Sequence, residues 1–211
     1  MTSADAVVPA DEAGATRAPF QRVLAWLYVI GGLIGLAAAT IITIEKIEKL
    51  ENPDYVPSCS LNPVVSCGSV MDSEQASAFG FPNPLIGIAA FAVVATVGVV
   101  LLTGFTPPRW FWLGMQAGAT FGVVFVHWLI HASLYDIKAL CPYCMVVWAV
   151  TIPIFWYTTL YNLLSWPRLP AGARRVVESM ARLHTMVVAL WFAAIAGLIL
   201  GAFWDYWSGL F

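Results

Sequence analysis

The sequence predicts an all-α integral membrane protein with five transmembrane helices, and three observations carry that expectation. Of its 211 residues, 60% are apolar and only 10% are Asp, Glu, Lys or Arg, whereas a soluble domain carries about a quarter charged residues. The apolar residues gather into five runs, each near the roughly 20 residues that a helix needs to cross the hydrocarbon core. None of the runs alternates like a barrel strand, so helices are the backbone solution that lipid allows. The formal net charge of −2 supplies no basic field for a polyanion, which argues against nucleic acid as a partner.

Taken in order, residues 1–19 are rich in Ala and small polar residues and read as a disordered cytoplasmic tail. Residues 20–211 read as a single transmembrane domain. Its first span covers Val23–Ile44. Arg17 and Arg22 before it and Ala37, Ala38 and Ala39 within it imitate a cleaved signal peptide, but the apolar run continues through Ile41, Ile42 and Ile44. That is longer than a signal core, so the helix is expected to stay. A long loop, residues 45–83, follows. The remaining spans are Pro84–Leu102, Trp110–Ile130, Met145–Leu164 and Met186–Phe203. Glycines recur at four-residue intervals as Gly31 and Gly35, as Gly114, Gly118 and Gly122, and as Gly197 and Gly201. Such stripes let helix backbones approach closely in a membrane, and all three are read as packing seams.

Orientation follows from the cations between spans. With a cytoplasmic N-terminus, Arg17, Arg22, Arg109, Arg168, Arg174, Arg175 and Arg182 fall inside, and only Lys46, Lys49 and Lys138 fall outside. Trp26, Trp110, Trp112 and Trp166 are then expected at the inner interface, and Trp204, Tyr206 and Trp207 at the outer one.

This topology places Cys59, Cys67, Cys141 and Cys144 on the outer side, where disulfides persist. Cys141-Pro142-Tyr143-Cys144 has the spacing of a redox dithiol. At the start of a helix both sulfurs share a face, Pro142 suits the first turn, and free backbone N–H groups favour a thiolate. Cys59 and Cys67 lie in the long loop, where a bridge closes a small exposed ring of the exchangeable kind. Four cysteines allow three connectivities. A four-cysteine zinc site and a pair of structural staples are the competing readings. Val64, Val65, Val70 and Met71 are expected to turn inward from the loop, along the membrane surface.

These residues resemble the vitamin K epoxide reductase family, in particular its bacterial quinone-linked members that support disulfide formation. The likeness rests on a loop pair with seven residues between its cysteines (Cys59 and Cys67), on Phe81-Pro82-Asn83-Pro84 opening the second span, and on a Cys-x-x-Cys opening the fourth. It covers roughly residues 20–165. The resemblance implies a four-helix bundle around a quinone (menaquinone or ubiquinone), with the cysteine loop as a cap on the outer face of a bacterial inner membrane. It further implies that Cys59 exchanges with an extracytoplasmic thioredoxin-fold, DsbA-like partner, that Cys67 and Cys141 exchange with each other, and that Cys144 meets the quinone. The family's quinone-contacting Asn falls at Asn83. A family Tyr four residues beyond the second motif cysteine falls at Trp148, which keeps a ring but loses a hydroxyl. No segment is long enough for a fused thioredoxin-like domain, so the partner is expected to be a separate protein. DsbB-type oxidases carry the two cysteine pairs in the opposite order. A membrane scaffold held by two structural disulfides is the non-enzymatic alternative.

His127 and His131 share a helix face near the outer end of the third span and are read as packing or interface residues. No further ligand accompanies them, and no metal is expected. Asp136 and Lys138, shortly before Cys141, read as solvated loop charges, with a bias on a nearby thiolate as the alternative role for Lys138.

Overall fold

The protein is described by a computed structural model covering residues 10–166 and 169–209. Residues 1–9 of the expected tail and Arg168 of the arginine-rich loop lie outside the described residues. Among the described residues five helices are long and apolar enough to cross a membrane, and the chain is an all-α multi-pass membrane protein. Helix α1 spans Ala10–Glu51. A short α2 (Cys67–Met71) and a 3₁₀ turn (Glu74–Ser77) form the cap. The other long helices are α3 (Pro84–Leu102), α4 (Arg109–His131), α5 (Pro142–Leu164) and α7 (His184–Ala202), with shorter α6 (Ala171–Arg182) and α8 (Trp204–Ser208).

Helix α1 departs from expectation at both ends. Its backbone is helical from Ala10. It also continues through Glu45–Glu51, which the sequence placed in the loop. Its 42 residues make a rod of roughly 63 Å, longer than the hydrocarbon core. The end that projects beyond the last apolar turn carries Glu45, Lys46 and Lys49.

Helix α1 packs along α3 on one side and α5 on the other, and α5 packs along α4. The α1–α3 seam is held at backbone distance: a Cβ added to Gly32 would stand 2.7 Å from Ala95 N, and one added to Gly98 would stand 2.6 Å from Val29 N. Buried Leu24, Ala25, Tyr28, Phe91, Val97, Leu101 and Ile154 fill this half of the bundle. Tyr28 and Thr158 share a buried hydroxyl–hydroxyl bond of 2.5 Å between α1 and α5.

The α4 stripe does something else. A Cβ added to Gly114 or Gly118 would meet nothing within 4 Å, and one added to Gly122 would reach only Thr151 Cγ2 at 3.5 Å. These glycines line a cavity rather than a seam, which corrects the packing expectation for that stripe. Gly197 and Gly201 on α7 likewise meet no neighbour.

Helix α7 attaches to the outside of the four-helix bundle. Ile195 and Phe203 join Val123, Val126, Ile130, Trp148 and Ile152 in one apolar cluster, and Trp191 Nε1 donates to His127 Nε2 at 2.9 Å. An indole N–H only donates, so the other ring nitrogen of His127 carries the hydrogen directed at Val123 O, 2.7 Å away. Nδ1 thus fixes the ring on its own helix, and Nε2 holds α7 on α4. At the arginine end, Trp112 is buried against Tyr161, with ring centroids 4.2 Å apart, instead of standing in an interfacial belt. Trp26, Trp110, Trp166 and Trp204 remain exposed. Helix α6 occupies part of the loop that the sequence left without structure; Arg174, Arg175 and Arg182 give it a charged face while Val177 is buried.

Candidate functional site

Two short backbone pairings build the site. Leu140 N donates to Val64 O at 2.7 Å, and Ser66 N donates to Leu140 O at 2.9 Å, a one-residue parallel bridge between Val65 and Leu140. The residues immediately after these pairings are Cys67 and Cys141, so the bridge delivers both sulfurs to the same place. Asn62 shapes the approach, its Oδ1 accepting from Val64 N at 3.0 Å and Val65 N at 2.7 Å. This side-chain turn competes locally with other backbone conformations. Ser66 then caps α2 through Ser69 N. Preceding Cys141, a π-helical turn (Ala132–Asp136) and Lys138 at φ 56° bring the chain around.

Cys59 and Cys67 form a disulfide with Cα atoms 5.6 Å apart. Cys67 Sγ lies 3.2 Å from Cys141 Sγ, while Cys141 and Cys144 are unbonded thiols. Cys67 therefore stands between Cys59, to which it is joined, and Cys141, which it touches. All three are buried, together with Ile42 and Met71. Of the inward-facing loop residues expected from sequence, Val64 and Met71 are buried, and Val65 and Val70 are partly so.

Cys141 is the N-cap of α5, and its sulfur accepts from Cys144 N at 3.4 Å. The Cys144 thiol, with the backbone N–H groups of Cys144 and Tyr143, holds the Cys141 thiol below the ordinary cysteine range; burial and the Glu45 charge oppose this. Stabilising the thiolate at Cys141 makes it the better leaving group when a disulfide to it is attacked. The charged side chain felt at Cys141 is Glu45; the positive φ turns Lys138 out into an exposed position.

Below the sulfurs lies a cavity of about 560 Å³, within the size range of small-molecule sites. Helices α3 and α4 face one another across it, with Ala90 and Val94 on one side and Gly118 and Phe125 on the other. Lys46, Asn83, Cys141 and Cys144 gather at its cysteine end, and Thr151 lies two turns further along α5 with its hydroxyl donating to Val147 O at 2.8 Å. Trp148 lies one turn beyond Cys144 on the same face of α5, buried and also lining the cavity. Asn83 is buried as well, and its amide is partly committed: Oδ1 accepts from Ala78 N at 3.1 Å and Nδ2 donates to Gln75 O at 2.6 Å. That ties the 3₁₀ turn down over the start of α3. The second amide hydrogen can serve a ligand carbonyl.

The sequence did not single out Glu45 or Lys46. Both follow the last Ile of the first span, where hydropathy places a loop, yet Glu45 is buried and Lys46 Nζ donates to Met71 O at 2.6 Å. Among the described residues, no group of three or more His, Cys, Asp and Glu is placed to hold a metal ion. The Cys59–Cys67 bond removes two sulfurs from the four that a zinc site needs.

The family model described as "Vitamin K epoxide reductase family" matches residues 26–159, a range that contains all four cysteines, Asn83, Trp148 and the cavity. No curated protein matches the chain.

Proposed function

The chain belongs to the vitamin K epoxide reductase family and is a membrane oxidoreductase with two cysteine pairs; from that premise we propose that it reoxidises an extracytoplasmic thioredoxin-fold, DsbA-like protein at the expense of a membrane quinone. The observation that carries the reading is the chain of contacts Cys59–Cys67···Cys141, with Cys144 beside an apolar cavity. A structural staple has no use for a third sulfur at 3.2 Å from its bridge.

In this reading a partner thiolate attacks Cys59 and breaks its bond to Cys67. The partner's second thiol resolves the mixed disulfide, leaving the partner oxidised and Cys59 and Cys67 reduced. The Cys67 thiolate then attacks Cys141 of a Cys141–Cys144 disulfide, and Cys144 leaves as thiolate. Cys59 next attacks Cys67, the loop disulfide closes, and Cys141 leaves. A closed loop disulfide beside two free helix thiols is the covalent state that follows this last exchange.

The cavity fits a quinone by its volume, by its apolar walls and by the polar groups at one end. Asn83 would orient a ring carbonyl, and Trp148 with Phe91 and Phe125 would flank the ring and the start of its tail. A quinone bound there would supply the two-electron acceptor that draws the exchange forward, each 30 mV being worth about 1.4 kcal/mol for this couple. We further propose that residues 20–211 act as one domain in a bacterial inner membrane, with the N-terminus cytoplasmic and the cysteines outside, as the seven arginines and three lysines suggest.

The test uses the full chain in lipid with a reduced thioredoxin-fold partner and a soluble quinone. One quinone should be consumed per disulfide formed. Cys59→Ser and Cys144→Ala should each abolish turnover while the protein still accumulates, and Cys59→Ser, which lacks the resolving thiol, should trap Cys67 on Cys141. Thiol loss at full rate with no quinone or other acceptor consumed would overturn the reading.

A further inference from the structure

Glu45 is a carboxylate at the membrane end of α1 that the exchange chemistry leaves unused. It is 7% exposed, and a carboxylate that deeply buried persists only when its oxygens are hydrogen-bonded. All its hydrogen bonds come from one short segment. Tyr55 Oη donates to Oε2 at 3.1 Å, Ser58 N to Oε2 at 3.1 Å and Ser58 Oγ to Oε1 at 2.5 Å. Ser58 immediately precedes Cys59.

The two lysines on the same projecting end of α1 hold the other arm of the loop. Lys46 Nζ donates to Met71 O, and Lys49 Nζ donates to Gly68 O at 3.3 Å and pairs with Asp72 at 2.5 Å. These contacts fix α2, which begins at Cys67 and is also stitched to Leu140. The cysteine loop therefore has two arms fastened to one helix end by opposite charges: a carboxylate on the Cys59 arm and ammonium groups on the Cys67 arm.

The closed arrangement suits Cys67, which touches Cys141, but not Cys59. At 7% exposure, Cys59 is packed with Cys67, Ile42, Met71 and Cys141, a closed setting for a thiolate carried by a folded protein. Lifting the Cys59 arm exposes it, and the bonds that lifting breaks at the arm's root are those of Ser58 and Tyr55 to Glu45, with the contact of Tyr55 to Glu48 and the Gly68 N to Ser60 Oγ bond beside them. The Cys67 arm has its own fastenings and can stay in place.

Building on the proposed function, we infer that Glu45 is a positioning residue: the catch that holds the Cys59 arm closed over Cys141 and releases it to the thiol donor. When the arm lifts, the donor's thiolate attacks Cys59, the Cys59–Cys67 bond breaks, and Cys67 leaves as thiolate. The donor's second thiol completes the transfer, so that its two sulfurs are oxidised and the two loop sulfurs are reduced.

The test measures reduction of the loop disulfide in the full chain by dithiothreitol, without quinone, reading Cys59 and Cys144 alkylation separately. Gln can accept at one oxygen only, so Glu45→Gln should speed loop reduction about tenfold. Tyr55→Phe should speed it by about threefold, in line with the loss of one hydrogen bond. Cys144 alkylation should stay at its wild-type rate in both. Lys49→Met, on the opposite arm, should leave Cys59 reduction unchanged. With the thioredoxin-fold partner, Glu45→Gln should lower both KM and kcat, because the open arm is reached more easily and the closed one forms less often. Wild-type reduction rates in Glu45→Gln and Tyr55→Phe would overturn the catch, as would Cys144 alkylation rising in step with that of Cys59. A wild-type protein that passes no electrons to quinone would sink the functional reading instead, a result that the quinone-free assay does not depend on.

Discussion

Along the α1–α3 seam, a Cβ added at Gly98 would stand 2.6 Å from Val29 N, and one added at Gly35 would stand 2.5 Å from the Phe91 ring. Along α4, a Cβ added at Gly114 or Gly118 would meet nothing within 4 Å. In sequence the two regions look alike, with small residues on one face of an apolar helix. In the fold one closes the bundle and the other hollows it. The difference comes from the neighbours. Helix α3 follows α1 and presses against it, whereas α4 leans on α5 and leaves its glycine face toward α3, across the cavity. Glycine permits either close backbone approach or open volume, and only the partner helix decides between them.

The seam is most vulnerable at Gly98, whose added Cβ would meet the α1 backbone. Gly98→Val would drive a branched side chain into the α1 backbone, where no flexible side chain can yield. The expected loss is about 3 kcal/mol or more, at the upper end of overpacking penalties. It should show as a collapse of the thermal unfolding midpoint in detergent and of the folded yield. Normal stability in that variant would mean that α1 and α3 stand further apart than the structure has them.

The spans themselves were legible in the sequence because lipid accepts few backbone solutions, and hydropathy alone finds them. Pro84–Leu102 is matched at both ends, since Pro84 and the turn at Thr103–Gly104 mark its limits locally. The Val65–Leu140 bridge was not legible, because it joins residues far apart in the chain, and the local π-helical turn before Cys141 carries no hydropathy or spacing signal of its own. For the same reason, the Cys67–Cys141 contact could enter only through a family likeness. Glu45 and Lys46 were misplaced because hydropathy ends the span where charge begins, although the helix runs on and uses those charges to fasten the cap. Trp112 was assigned to an interface by composition, but its stacking on Tyr161 buries it.

Gly118 sharpens the comparison from the other side. Gly118→Phe should fold, because its side chain enters open volume, with a thermal midpoint near that of wild type. It should raise the quinone KM about tenfold, the equivalent of about 1.4 kcal/mol of lost binding, while reduction of the loop disulfide by dithiothreitol is unchanged. A large fall in stability with an unaltered KM would mean that α4 uses this face for packing after all.

The smallest effect carries the finest test. Gly114→Ala adds one methyl group to a face with nothing within 4 Å, so no contact is strained and little volume is lost. What remains is the intrinsic cost of glycine inside a helix, and its removal should stabilise the protein by about 0.5–1 kcal/mol. Turnover should stay within about fourfold of wild type, since a methyl group is worth about 0.8 kcal/mol at most against a ligand. The same substitution at Gly32 should destabilise, because its Cβ would stand 2.7 Å from Ala95 N. Paired unfolding measurements on Gly114→Ala and Gly32→Ala therefore test the sign of the difference between the two helix faces. Equal shifts in both would erase the distinction between the seam and the cavity wall.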